Sequence, residues 1–409
     1  MDANSLHSKS KSMIQTFKID RRYVLFFLFL PLFLVSCTIW PALTYLASDS
    51  KSGNENSSIP LALGLLTQSA IQNGSSTPTP NLLYIANYNS NSITIYNAKT
   101  GAYLNGTLAN STFATQTGPD FIAVNPKANI IYVTAQTGNS ITYFNAKTGA
   151  YINGTLANSS FSTGNGPLFI GVNPDANLIY VSNANSGTVT YYNATTGAYM
   201  NGTLANSSFP TAGITPQGLT VDPVANKMYI SNFDLDNVTY YNATTASVTS
   251  SFPTQSGPTS MALNTTANLL YVGNNASDSV TIYNATTGAF LNGTLANSSL
   301  PVGTGPVSLA VNPTSNILYS ANQTSETLTL HNATTGVYLN GTLANSSFPT
   351  GTRPYAVAVN AIANLAYVAN SSSQTVTYYN ATTGAYLNGT LANSSFATQA
   401  GPSHVAVNP

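Results

Sequence analysis

The chain has 409 residues, 43% of them hydrophobic and only 5% charged, and its basic and acidic side chains balance to a net charge of zero. So little charge excludes nucleic-acid binding, which needs a basic stripe to replace phosphate counterions. From Asn81 onward the basic residues are Lys99, Lys127, Lys147, Lys227 and Arg353, too few and too scattered, and the single cysteine, Cys37, excludes a disulfide within one chain.

Residues 1–36 read as a targeting segment. Lys9, Lys11, Lys18, Arg21 and Arg22 form a basic lead, and Tyr23–Val35 is a short apolar core. The segment ends in Leu34-Val35-Ser36-Cys37, which resembles the lipobox of bacterial lipoproteins, in which the cysteine is lipidated and becomes the new N-terminus. The resemblance implies an extracytoplasmic chain, lipid-anchored to a membrane through Cys37. Thr38 after the cysteine points to outer-membrane or surface sorting in a two-membrane bacterium. The apolar stretch runs on weakly through Thr38–Ala47, so an uncleaved membrane span is the alternative. Residues 37–80 are dense in Ser, Asn, Gly and Pro and suit a flexible tether.

From residue 81 one unit repeats. Its tyrosine falls at Tyr84, Tyr132, Tyr180, Tyr229, Tyr271, Tyr319 and Tyr367, in steps of 48, 48, 49, 42, 48 and 48 residues. Within the last unit Val357–Asn360, Ala366–Asn370 and Thr375–Asn380 have strand composition, with a weaker fourth run at Ala385–Leu391 that Gly389 interrupts. A lone four-stranded sheet with apolar residues on both faces must stack against its neighbours, and seven such units predict an all-β, seven-bladed propeller of four-stranded antiparallel blades spanning 81–409. The last segment, Gly401–Pro409, repeats a first strand that the first unit lacks. His404–Asn408 is therefore predicted to pair with Leu82–Asn87 and close the ring. The 42-residue step reflects a missing AYLNGTLAN stretch after Asn242, which predicts a stunted outer strand around Ser247–Ser251.

The units resemble the YVTN-type β-propeller repeats of bacterial and archaeal surface proteins, related to the lactonase-like seven-bladed propellers. Tyr132-Val133-Thr134, Tyr180-Val181-Ser182-Asn183 and Tyr367-Val368-Ala369-Asn370 carry the likeness, each followed by a T-V-T or S-I-T strand and a Gly-Pro turn. The family implies the fold and leaves the activity open.

Between units the turns N-A-T-T-G-A-Y and V-N-P-x-x-N barely change, whereas two loops vary: that between the second and third strands, and that just before the first. In propeller topology both emerge around the mouth of the central channel, where loops on a rigid scaffold bind ligands. The scarce charges gather there. Asp234, Asp236, Asp278 and Glu326 form an acidic arc for a cation, basic peptide or polar glycan, with ordinary solvated charge as the plain alternative, while Asp120, Arg353 and His404 occupy the other loops. Tyr88, Phe121, Phe169, Phe233 and Tyr355 are the aromatic candidates for partner contact. Most of the remaining tyrosines recur at fixed repeat positions and read as blade packing with a wet hydroxyl end.

Lactonase-like propellers use acidic, Arg and His residues at the mouth to polarise a lactone and activate water. The resemblance offers Asp120, Arg353 and His404 for that role. No CxxC, HExxH, nucleophile elbow or Walker loop is present, and no cofactor is implied. His331 stands where other units carry Tyr and reads as a strand residue. The leading expectation is a monomeric envelope binding module with a protein or glycan ligand at the channel mouth, and the alternatives are a lactonase-like hydrolase and a structural coat protein.

Overall fold

A computed structural model describes residues 81–408; the targeting segment, Cys37 and the tether lie outside the described residues. Seven four-stranded antiparallel sheets follow one another around a channel. Blade 7 is typical. From the channel outward it runs Pro354–Asn360, Leu365–Asn370, Thr375–Asn380 and Ser395–Ala397. The second strands, such as Leu365–Asn370, are buried along their whole length except at Lys227 in blade 4, which explains their near-continuous apolar composition. Each hydrophobic layer lies between two blades. Leu82, Tyr84 and Ile93 of blade 1 pack on Ile122, Ile131 and Phe144 of blade 2, so a blade has no core without its neighbour.

The ring closes as the sequence predicts. Pro402–Asn408 is the innermost strand of blade 1, with Leu82 opposite Asn408 and Ala86 opposite His404. The repeat tyrosine supplies a second tie. Tyr84 donates its phenol to the Ala146 carbonyl of blade 2 at 2.6 Å, Tyr132 to Ala194 at 2.5 Å and Tyr271 to Ala333 at 2.9 Å. The series continues round to Tyr367, which donates to Ala98 of blade 1 at 2.6 Å. These hydroxyls are not wet, because the next blade's turn presents a buried carbonyl where solvent is expected.

Two expectations about the outer edge are corrected. The fourth strand of blade 7 is Ser395–Ala397, not Ala385–Leu391. Gly389 adopts a φ of 81°, where an extended strand cannot continue, and only one bridge, Tyr379 to Tyr386, forms before the chain folds into a compact loop. Blade 4 lacks that loop. Its outer strand, Val248–Pro253, is consequently longer rather than stunted, pairing with the third strand from Asn237 to Tyr241.

His331 is fully buried in the third strand of blade 6 against Tyr338, with ring centroids 4.8 Å apart. Neither ring nitrogen has a hydrogen-bond partner. Burial pushes its pKa down to about 4, opposed by the Pro301 carbonyl.

Candidate functional site

Each first strand enters the channel at a proline, and the residue after it reaches the mouth. Around the ring these residues are Ser403, Asp120, Leu168, Gln217, Thr259, Val307 and Tyr355 for blades 1 to 7, and all seven line one cavity of about 120 Å³. The backbone is symmetric here but the chemistry is not. Ser403, Asp120 and Tyr355 sit on adjacent blades, and Leu168 and Val307 fall on others. The following residue is aromatic on blades 1 to 3 (His404, Phe121, Phe169) and small on blades 4 to 7 (Gly218, Ser260, Ser308, Ala356). The aromatic side is continuous. Phe121 lies 4.7 Å from Phe169 and 3.9 Å from the His404 ring, centroid to centroid.

A second, wider cavity of about 310 Å³ adjoins the first. Tyr88, Asn89, Gln136, Arg353 and Ser371 line it, and it shares Asp120, Tyr355 and Ser403 with its neighbour. Tyr88 bridges two blades by donating to the Gln136 side chain at 3.1 Å. Ser403 donates to the Pro119 carbonyl at 2.7 Å, fixing the strand that carries Asp120. The site thus straddles the seam where the ring closes, drawing on blades 7, 1 and 2.

The electrostatics single out Asp120. Burial raises its carboxyl to about 7, and it forms no ion pair with Arg353; among the described residues the only salt bridge is Lys127 to Asp175 at 3.2 Å, on the exposed surface. The charge of Asp120 in turn raises the Tyr355 phenol, with burial adding to the effect and Arg353 opposing it, to about 12, so Tyr355 remains a donor. His404 accepts the Ile122 amide on Nδ1 at 3.3 Å. Its proton therefore sits on Nε2, and burial holds the pKa near 3, so the ring is a neutral donor rather than a base.

Of the sequence candidates, Asp120, Phe121, Phe169, Tyr355 and His404 line the first cavity, and Tyr88 and Arg353 join Asp120 and Tyr355 in the second. The acidic arc and Phe233 line neither. Asp236 and Asp278 occupy left-handed turn positions where blades 1 and 2 place Asn91 and Asn139, and each accepts the amide of the next Gly-Pro turn at 2.8 Å, as Asn91 does for Gly118. Glu326 takes the same backbone conformation. Asp234 accepts from the Ile214 amide at 3.1 Å and from the Thr215 amide and hydroxyl; burial raises its pKa, yet these donors bring it below the ordinary value. Among the described residues no three His, Cys, Asp or Glu side chains gather closely enough to hold a metal ion. The arc is spread over successive turns and braces them.

Sequence reasoning did not name Gln136, Ser371 or Ser403 individually, although all three stand in the loops it marked as variable. Ile214, Phe233 and Leu235, which are 75%, 39% and 48% exposed, crowd the channel-mouth face of blade 4, where Leu235 replaces the Ser or Gly of every other blade.

A closed ring of seven four-stranded antiparallel blades defines a seven-bladed β-propeller. The chain belongs to the family described as "Lactonase, 7-bladed beta-propeller", whose profile matches residues 83–393. No curated protein matches it by sequence. Among solved structures it is similar to a candidate 6-phosphogluconolactonase from Bacteroides uniformis (16% identity, TM-score 0.62, covering 80% of this chain and 99% of that one). A second candidate 6-phosphogluconolactonase, from Bacteroides fragilis, is similar at 14% identity and a TM-score of 0.62, covering 82% of this chain and 99% of its own. A protein from Lactobacillus plantarum matches at 16% identity and 0.62, over 80% and 99%. At these identities the likeness shows the fold alone.

Proposed function

We propose that the propeller is a lactone hydrolase whose reaction takes place at the channel mouth. The observation that carries this reading is Asp120, a half-buried carboxyl raised to about 7, in a cavity it shares with the neutral donors Tyr355 and His404. A base with a pKa near the working pH balances its ionised fraction against its proton affinity. The Asp120 carboxylate takes a proton from water as the water oxygen adds to the lactone carbonyl. The Tyr355 hydroxyl, the His404 Nε2–H and the Arg353 guanidinium are the donors available to the resulting oxyanion. When the ring C–O bond breaks, the departing alkoxide recovers the proton from Asp120, and the product is the open hydroxy acid.

The test is hydrolysis of a panel of γ- and δ-lactones followed by acid release, with Asp120→Asn lowering turnover by about 100-fold or more. Absence of turnover on every lactone contradicts the reading.

A second reading, a binding module without turnover, draws on the exposed apolar face of blade 4. A partner held there loses affinity with Leu235→Ser, whereas hydrolysis at the seam does not depend on that residue. The envelope location is proposed on the Leu34-Val35-Ser36-Cys37 motif alone. Metabolic labelling with a palmitate analogue that marks wild type and misses Cys37→Ser supports a lipid anchor, and equal labelling of both contradicts it.

A further inference from the structure

Resting on the hydrolase reading, we infer that the substrate is an amphipathic lactone, with an uncharged polar head and an apolar tail, rather than a phosphorylated sugar lactone. The juxtaposition of two unlike cavities across one shared wall points to it. On one side, Phe121, Leu168, Phe169 and Val307 line the smaller cavity. His404 extends the aromatic wall, and because burial keeps its ring neutral the wall is uncharged. Opposite it stand small residues, so the space between is left open to a ligand. Through Phe121, Phe169, Ser308 and His404 this cavity continues into the channel, about 370 Å³ in volume. A flexible chain entering there leaves water for apolar and aromatic surface, with a gain that grows with each methylene buried.

On the other side, Tyr88, Asn89, Gln136 and Ser371 supply neutral hydrogen-bonding groups. Asp120, Tyr355 and Ser403 form the boundary. A cyclic ester lying on that boundary places its carbonyl beside Asp120, its ring oxygens toward the neutral polar groups and its substituent along the aromatic wall. A sugar lactone offers Phe121 and Phe169 only the small C–H patches of its ring, and so buries less apolar surface there than a tail does.

A phosphate fits worse. Phosphate sites gather several cations or aligned backbone amides, and Arg353 is the only cation lining either cavity. Of the four lysines among the described residues, Lys127 pairs with Asp175 and Lys227 donates to the Thr286 carbonyl, both away from the mouth, and Lys99 and Lys147 lie in the turns that follow third strands. The Asp120 carboxylate in the same cavity repels a phosphate dianion once it ionises.

The experiment uses the full chain in detergent and compares kcat/KM for δ-decanolactone, glucono-δ-lactone and 6-phosphoglucono-δ-lactone, with calorimetric titration of the ten-carbon δ-lactam as a ligand that is not turned over. The expected result is at least a tenfold preference for δ-decanolactone. Phe169→Ala should raise KM for it more than for the tailless δ-valerolactone. A preference for either sugar lactone overturns the inference and leaves the hydrolase reading standing. Lactam binding that Phe169→Ala weakens, without hydrolysis of any lactone, removes the hydrolase reading but supports the amphipathic site. Neither binding nor hydrolysis overturns both.

Discussion

Tyr367 of the last blade donates its phenol to the Ala98 carbonyl of the first at 2.6 Å, the same contact that links every other blade to its successor. Blade 7 runs on by continuous chain into Pro402–Asn408, and the ring closes without a covalent link only where that strand pairs with Leu82–Asn87 inside blade 1. Arg353, Tyr355, Ser403 and His404 lie on one side of that pairing, and Tyr88 and Asp120 on the other. Closure of the ring and assembly of the site are therefore one event.

Loss of the tie should be measurable. Tyr367→Phe removes a buried donor and leaves the Ala98 carbonyl unpaired, so it should destabilise the ring by about 1–2 kcal/mol. Urea unfolding reads the change as a lower midpoint. Deleting Gly401–Pro409 removes the innermost strand of blade 1 together with Ser403 and His404, and should abolish the single cooperative transition. A truncated chain that unfolds like wild type contradicts the closed ring.

His331 is a defect that can be repaired. Its ring is buried with neither nitrogen paired, while Tyr283 and Tyr379 at the same position donate to Pro253 and Pro349 at 2.8 Å. His331→Tyr should place a phenol on the Pro301 carbonyl and stabilise the fold by about 1 kcal/mol at pH 7. The gain should grow in acid. The unfolded chain protonates His331 near 6.5 and the folded chain only near 4, so wild type loses stability as pH falls between those values, and the variant does not lose that part. Thermal melts at pH 7 and pH 5 measure both effects.

Asp120 carries the opposite linkage. The folded chain keeps its proton up to about pH 7, whereas the unfolded chain releases it near 3.8. The carboxyl therefore costs stability progressively as pH rises through that window, and the cost persists above it. Asp120→Asn should raise stability at pH 8 by on the order of 1 kcal/mol, after discounting for the solvent on its open side, and change little at pH 4. A residue that opposes folding while lining a cavity is what function demands and packing does not.

The acidic arc should be dispensable. Asp236→Asn installs the residue that Asn91 and Asn139 already use in the same turn, so stability should stay within about 0.5 kcal/mol of wild type. Calcium titration should give no heat with either protein, and binding heat that Asp236→Asn removes would restore a cation site.

The ring was legible because its cause is repeated. Seven tyrosines at a near-constant step, and a strand left over at the end that was missing at the start, leave little choice of topology. The outer edge misled because AYLNGTL has strand composition while Gly389 and the asparagines beside it hold a loop, a local backbone preference that outweighs β propensity. At the mouth, variation between units marked the loops that carry Asp120, Arg353 and His404, and these residues line the two cavities. What the sequence could not separate was carboxylates of different circumstance. Asp236 and Asp120 look alike in a variable loop, but one caps a turn in water and the other is drawn into a cavity, and only burial and hydrogen-bond partners distinguish them. The role of His404 was hidden likewise, since its Ile122 partner is 282 residues distant in the chain.

The most direct measurement is the pH dependence of kcat/KM for lactone hydrolysis by wild type and Asp120→Asn. Wild type should rise through an inflection near pH 7 as Asp120 ionises and reach a plateau above it, and the variant should be slower by about 100-fold or more with that inflection gone. An inflection that survives in Asp120→Asn, or a wild type that hydrolyses no lactone at any pH, contradicts the assignment of the seam at the channel mouth as an active site.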